Sequence, residues 1–206
     1  MGDHQEYAYK RLHSLLGVVP IGIFVIQHLI VNHFAVYGEE SFNKAAGFME
    51  NLPFVTVLEI FVIYLPILFH AVLGIYIVLA TRNNVRRYGF FRNWMFFLQR
   101  ISGIITLIFI AWHIWQTKIQ IAFFNVELNY QLMEDILTQP FFFWFYAISI
   151  ISVVFHLANG LWSFAVSWGI AQSPKSQQIV TYVTVGIFLV VSYIGIRSIV
   201  QFAFGA

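Results

Sequence analysis

The chain has 206 residues, of which 60% are hydrophobic and only 10% charged, and its mean hydropathy is +0.77. Soluble domains carry about a quarter of their residues as charges, so a water-exposed fold is excluded and the class is all-α integral membrane protein, with no nucleic-acid partner expected. No cysteine is present, which rules out disulfides, thiolate metal sites and cysteine-held iron–sulfur clusters within the chain and leaves its compartment open.

Crossing ~30 Å of hydrocarbon takes about 20 helical residues, and five stretches are long enough. In chain order the predicted transmembrane helices are span I over 12–33, II over 55–80, III over 94–115, IV over 141–168 and V over 179–204. They consume most of the sequence, so residues 1–206 are expected to form one membrane domain. Span I is too long for a cleaved signal and no small-residue cleavage site follows it. The connecting segments are short and polar, and Pro53 and Pro140 stand where helices can begin, since a first-turn proline loses no intrahelical bond.

With five spans, the N-terminus, the II–III loop and the IV–V loop share one side. That side collects Lys10, Arg11, Arg82, Arg86, Arg87, Arg92, Arg100 and Lys175, eight of the 11 Lys and Arg residues, while the other side holds seven of the nine acids. Positive charge marks the cytoplasmic side. The expected topology is a multi-pass plasma-membrane protein with its N-terminus inside and its C-terminus outside.

Spans I to IV each carry a histidine in turn: His28, His70, His113 and His156. From His28 to His70 is 42 residues and from His113 to His156 is 43; equivalently, His28 and His113 are 85 apart and His70 and His156 are 86. Such spacing makes I–II and III–IV a parallel repeat about an axis along the membrane normal. The first four spans would then form a bundle with equivalent helices diagonally opposite, pairing His28 with His113 and His70 with His156. Depth agrees: at ~1.5 Å per helical residue, His28 and His113 fall within roughly 8 Å of the outer end, whereas His70 and His156 lie about 22 Å below it. Gly74 and Gly160 each follow a histidine by four residues, on the same helix face, leaving room for a large flat group. Pro66 can bend span II beside this site.

Two pairs of intramembrane imidazoles at two depths are read as axial ligands of two b-type haems, since such residues mark function by default. The competing reading is interhelical hydrogen bonding in a haem-free transporter or assembly protein, which would be colourless.

The sequence closely resembles the five-helix, two-haem cytochrome b subunits that anchor bacterial succinate dehydrogenase (succinate:quinone reductase). The resemblance runs over essentially the whole chain through "RLHSLLGVVPIGIFVIQHLIVNHF", "ENLPF", "LEIF", "LPILFHAVLGIY", "RNWMFFLQRISGIITLIFIAWHIW" and "FHLANGLWSFAVSWGI". No ligand position departs from the family pattern, and the III–IV loop matches it least. The resemblance implies docking of a flavoprotein and an iron–sulfur protein on the cytoplasmic face. It also implies electron flow past the inner haem (His70, His156) and outer haem (His28, His113) to a quinone, usually menaquinone. Succinate itself would be oxidised in the partner. A fumarate reductase direction, or a haem b subunit of another respiratory dehydrogenase, stays open.

Further residues have two readings each. Glu59 lies eleven before His70, three turns plus about 20° around the helix, and is either a proton carrier near an outer quinone or a helix-start acid reaching headgroup water. Arg197 faces outer-haem propionates or snorkels to the headgroups. Arg11 and Ser14 in span I, with Arg100 and Ser102 in span III, either hold inner-haem propionates or serve as positive-inside anchors. His13 and His33 read as interfacial, with His33 140° from His28 and unable to share its iron. Trp94, Trp115, Trp144 and Trp168 fit aromatic belts.

Overall fold

The computed structural model describes residues 3–82 and 84–205, and no strand occurs among them. Five helices are long and apolar enough to cross a membrane: His4–Tyr37, Val55–Ala80, Phe91–Phe124, Pro140–Ser167 and Pro174–Phe204, designated spans I to V. Spans II and IV sit where the hydropathy places them. Spans I and III run well past their apolar stretches, because a helix continues into the interface after the hydrocarbon has ended.

Local chemistry sets the irregularities. Span I is interrupted at Val19, between Asp3–Val18 and Pro20–His33, where Pro20 supplies no N–H to the preceding turn. Span II widens into a π-helical run over Glu59–Tyr64 directly before Pro66, the place where the proline ring crowds the preceding turn. Span III has its own π-helical run, Trp115–Ile119. Span V begins with a reciprocal Ser173–Ser176 cap, with Pro174 in its first turn, and ends at Gly205 with φ +62°, matching the start and stop chemistry of a free-standing helix.

The helices in contact are I with II, II with III, III with IV and IV with I; span V packs on I and IV outside this ring. I and III are therefore diagonal, as are II and IV, in keeping with the repeat. Span V approaches closely at Gly195, where an added Cβ would stand 2.7 Å from Ile150 Cγ2 and 3.3 Å from Leu29 Cδ2. Contacts of that kind carry membrane packing, because lipid supplies no hydrophobic drive between helices.

Two connecting segments are themselves helical, Glu39–Glu50 and Tyr130–Leu137. They fold over the end of span V, with the rings of Phe42 and Tyr130 5.0 and 4.9 Å from Phe202. The Tyr130 hydroxyl donates to the Gln201 carbonyl at 3.1 Å. Charge separates the two ends of the bundle. The N-terminus and the II–III and IV–V loops form a basic end, and the two connecting helices lie at an acidic end.

Candidate functional site

Near the acidic end, the His28 and His113 rings face each other across the bundle with centroids 5.8 Å apart and planes at 74°. Nearer the basic end, the His70 and His156 rings are 6.1 Å apart at 88°. Each pair comes from diagonal helices. Two imidazoles sharing one metal at about 2 Å from each nitrogen have ring centroids roughly 6 Å apart. Among the described residues no group of three or more His, Asp or Glu could hold a metal ion. Each pair therefore offers two nitrogen donors only, a set that suits an iron whose remaining ligands come from a macrocycle and does not suit tetrahedral zinc.

Backbone and side-chain contacts fix which nitrogen of each ring is free. His70 Nδ1 donates to the His13 carbonyl at 2.9 Å, and His156 Nδ1 donates to the Gln99 carbonyl at 3.0 Å. His113 Nδ1 lies 3.1 Å from the Tyr146 hydroxyl, which donates onward to Gln116 Oε1 at 3.2 Å. In all three rings Nε2 is left for a ligand, the usual division of labour in a metal-binding histidine. His28 differs: the Asn32 amide donates to its main-chain carbonyl at 2.8 Å and stands 3.4 Å from its Nε2. On span III, Thr117 Oγ1 makes the equivalent bond to the His113 carbonyl at 2.7 Å.

At the basic end, Arg100 lies over the Phe96 ring at 4.4 Å, and its Nε and Nη2 are buried with no hydrogen-bond partner. Two covered guanidinium nitrogens with open donors fit a site for an anionic group. Ser102 Oγ donates to the Gln99 carbonyl at 3.1 Å and is 3.3 Å from His156 Nδ1. Arg11 is instead layered between Tyr7 and Trp168, at 4.9 and 4.7 Å. Ser14 Oγ donates to the Arg11 carbonyl at 2.9 Å and accepts from Trp168 Nε1 at 3.1 Å. Trp168 thus ties spans I and IV together, more than an aromatic belt requires, while Trp94, Trp115 and Trp144 are exposed on the surface.

Several residues sit differently from expectation. The His13 ring stacks on His70 at 3.9 Å with planes 11° apart, a contact that the interfacial reading did not foresee. A Cβ at Gly74 would meet His13 Nε2 at 3.4 Å, and one at Gly160 would meet Gln99 Nε2 at 3.5 Å, so the faces beside these glycines adjoin the residues that hold the imidazoles. His33 Nδ1 reaches the Ile194 carbonyl at 3.2 Å and Ser198 Oγ at 3.3 Å, joining span I to span V. Arg197, half-buried on span V, belongs to the helix outside the ring of four.

Glu59 is held by a residue that sequence reasoning passed over. Lys118 Nζ donates to Glu59 Oε1 at 2.6 Å, with side-chain exposures of 41% and 24%. The pair bridges the π-helical runs of spans II and III, and Lys118 is five residues beyond His113. Glu59 thus has a direct partner in the protein, unlike an acid that only reaches headgroup water. The connecting helix also reaches the site: Gln27, adjacent to His28, donates to Met49 Sδ at 3.3 Å.

A family model described as the succinate dehydrogenase/fumarate reductase transmembrane subunit matches residues 81–196. The succinate dehydrogenase cytochrome b558 subunit of Bacillus subtilis (strain 168) is 52% identical over 202 residues, spanning 98% of this chain and 100% of that protein.

Proposed function

Because the chain belongs to the succinate dehydrogenase/fumarate reductase transmembrane subunits, as a succinate dehydrogenase cytochrome b membrane subunit, we propose that it carries electrons across the membrane to a quinone. Its two imidazole pairs each hold one haem b, His70 with His156 toward the basic end and His28 with His113 toward the acidic end. The single observation that carries this reading is the double pairing itself, with centroids 5.8 and 6.1 Å apart in two tiers of one bundle.

Haem bound there would be held by the paired histidines and would supply a one-electron carrier. The chain's own residues do the rest. The His13 and Gln99 carbonyls and the Tyr146 hydroxyl orient three of the rings. Arg100 offers unpaired donors to a propionate, Ser102 is a further candidate that lies against His156, and Arg11 and Ser14 are more distant candidates because they already engage Trp168. Arg197 is a candidate for the acidic-end propionates on position in the sequence alone. The apolar spans exclude water and insulate the centres.

The basic end is the cytoplasmic face by the positive-inside rule and receives the iron–sulfur and flavoprotein subunits, where succinate is oxidised. The quinone, menaquinone on family grounds, is reduced near the acidic end, where Glu59 delivers protons and Lys118 holds it in place. The test is a dithionite-reduced optical spectrum of the purified chain, with haem counted against protein. Low-spin haem b is the expected result. A colourless protein overturns the reading and favours a haem-free membrane protein.

A further inference from the structure

The two halves of the bundle share more than histidines. Gly17 in span I and Gly103 in span III are 86 residues apart, as are His13 and Gln99, and as are His70 and His156. Each glycine stands 53 residues before its histidine and four after the residue whose carbonyl that histidine bonds. The structure makes these intervals physical. An ideal Cβ on Gly17 would stand 2.5 Å from His70 Cε1 and 3.0 Å from His70 Nδ1. One on Gly103 would stand 3.0 Å from His156 Cε1 and 3.3 Å from His156 Nδ1. Both imidazoles therefore lie on the bare backbone of the neighbouring helix.

A helical side chain leans toward the N-terminus and covers the turn before its own Cα. Any residue larger than glycine at 17 would cover the carbonyl of His13, and at 103 that of Gln99. We infer that Gly17 and Gly103 are positioning residues, each uncovering one main-chain carbonyl so that the imidazole of the next span can bond it through Nδ1 and present Nε2 to the bundle axis. This rests on the haem reading above and extends it to how the basic-end pair is held. The bonds of 2.9 and 3.0 Å are the direct product of the two seats.

The seats differ in their surroundings. On the III–IV side the Gln99 side chain donates to the His156 carbonyl at 3.0 Å and accepts from Asn159 Nδ2 at 2.7 Å. On the I–II side Leu73 occupies the place corresponding to Asn159, and His13 the place of Gln99. Position 13 contributes its ring as well as its carbonyl, because the His13 imidazole stacks on His70 at 3.9 Å.

The experiment counts haem and records ferric low-spin EPR signals for wild type, G17A, G103A and G186A in detergent-purified chain. Gly186 has nothing within 4 Å of its Cβ position. G17A is expected to lose one of the two haems, about half the pigment, and to keep the EPR signal of the His28–His113 pair. G103A, with the milder crowding, is expected to keep both haems and shift the g-values of one. G186A is expected to match wild type in haem content. Should G17A fail to accumulate in the membrane, the g-value shift in G103A carries the test alone. Wild-type EPR signals in G103A, or wild-type haem content and signals in G17A, overturn the inference. A haem-free wild type overturns the preceding reading instead, so the two failures are distinct.

Discussion

Arg100 and Glu59 show how much a single side chain's surroundings decide. Arg100 stacks on Phe96 and keeps two covered nitrogens unpaired, an arrangement costly for a cation unless an anion completes it. A unit charge about 10 Å from a redox centre, at an effective dielectric near 20, acts with roughly 1.7 kcal/mol, about 70 mV for one electron. Arg100→Leu should therefore lower the midpoint potential of the basic-end haem by several tens of millivolts, measured by optical redox titration, with the other haem unchanged. Glu59 is already ion-paired to Lys118 at 2.6 Å, a half-exposed bridge that adds little stability of its own. If Glu59 moves protons, Glu59→Gln should slow quinone reduction by roughly tenfold or more in the assembled complex. Lys118→Met, which keeps the carboxylate, should stay within about twofold of wild type; equal losses in both would reduce Glu59 to an ion-pair partner.

Among the elements, span V has the clearest separate role. It carries none of the four paired histidines, and it docks through Gly195 against Ile150 and Leu29 and through His33 against Ile194. Gly195→Ala overpacks that contact and should cost about 1–3 kcal/mol, read as a lower melting temperature, while the reduced spectrum of the folded protein stays as in wild type. The five spans and the histidine repeat were legible because hydropathy and residue spacing report depth and face directly. The seats at Gly17 and Gly103 were equally open to the same spacing, but a glycine gains meaning only when the ring lying on it is known. The Glu59–Lys118 bridge was not legible, because the π-helical runs Glu59–Tyr64 and Trp115–Ile119 shift the facing of both residues. The helices Glu39–Glu50 and Tyr130–Leu137 were hidden for other reasons: the first buries only Phe42 and Ala46 among its 12 residues, and the second, though it buries four of its 8 residues, is only about two turns long.

For the whole molecule, charge and tiering make one directional device. Eight of the 11 basic side chains lie at the end holding the N-terminus, so an N-terminal tag should be protease-accessible only from the cytoplasmic side and a C-terminal tag only from outside. One diagonal pair stands toward each end, so on the proposed function electrons entering at the basic end and leaving at the acidic end would cross most of the hydrocarbon. Turnover of the reconstituted complex should then respond to an imposed membrane potential, and indifference to it would place the quinone at the basic end. The claim beneath all of this is that diagonal histidines bind as pairs, and the haem-to-chain ratio of the purified protein tests it most directly. The account predicts two haems b per chain, falling to one in His70→Leu with the His28–His113 signal intact; a wild-type ratio of one or none would contradict it.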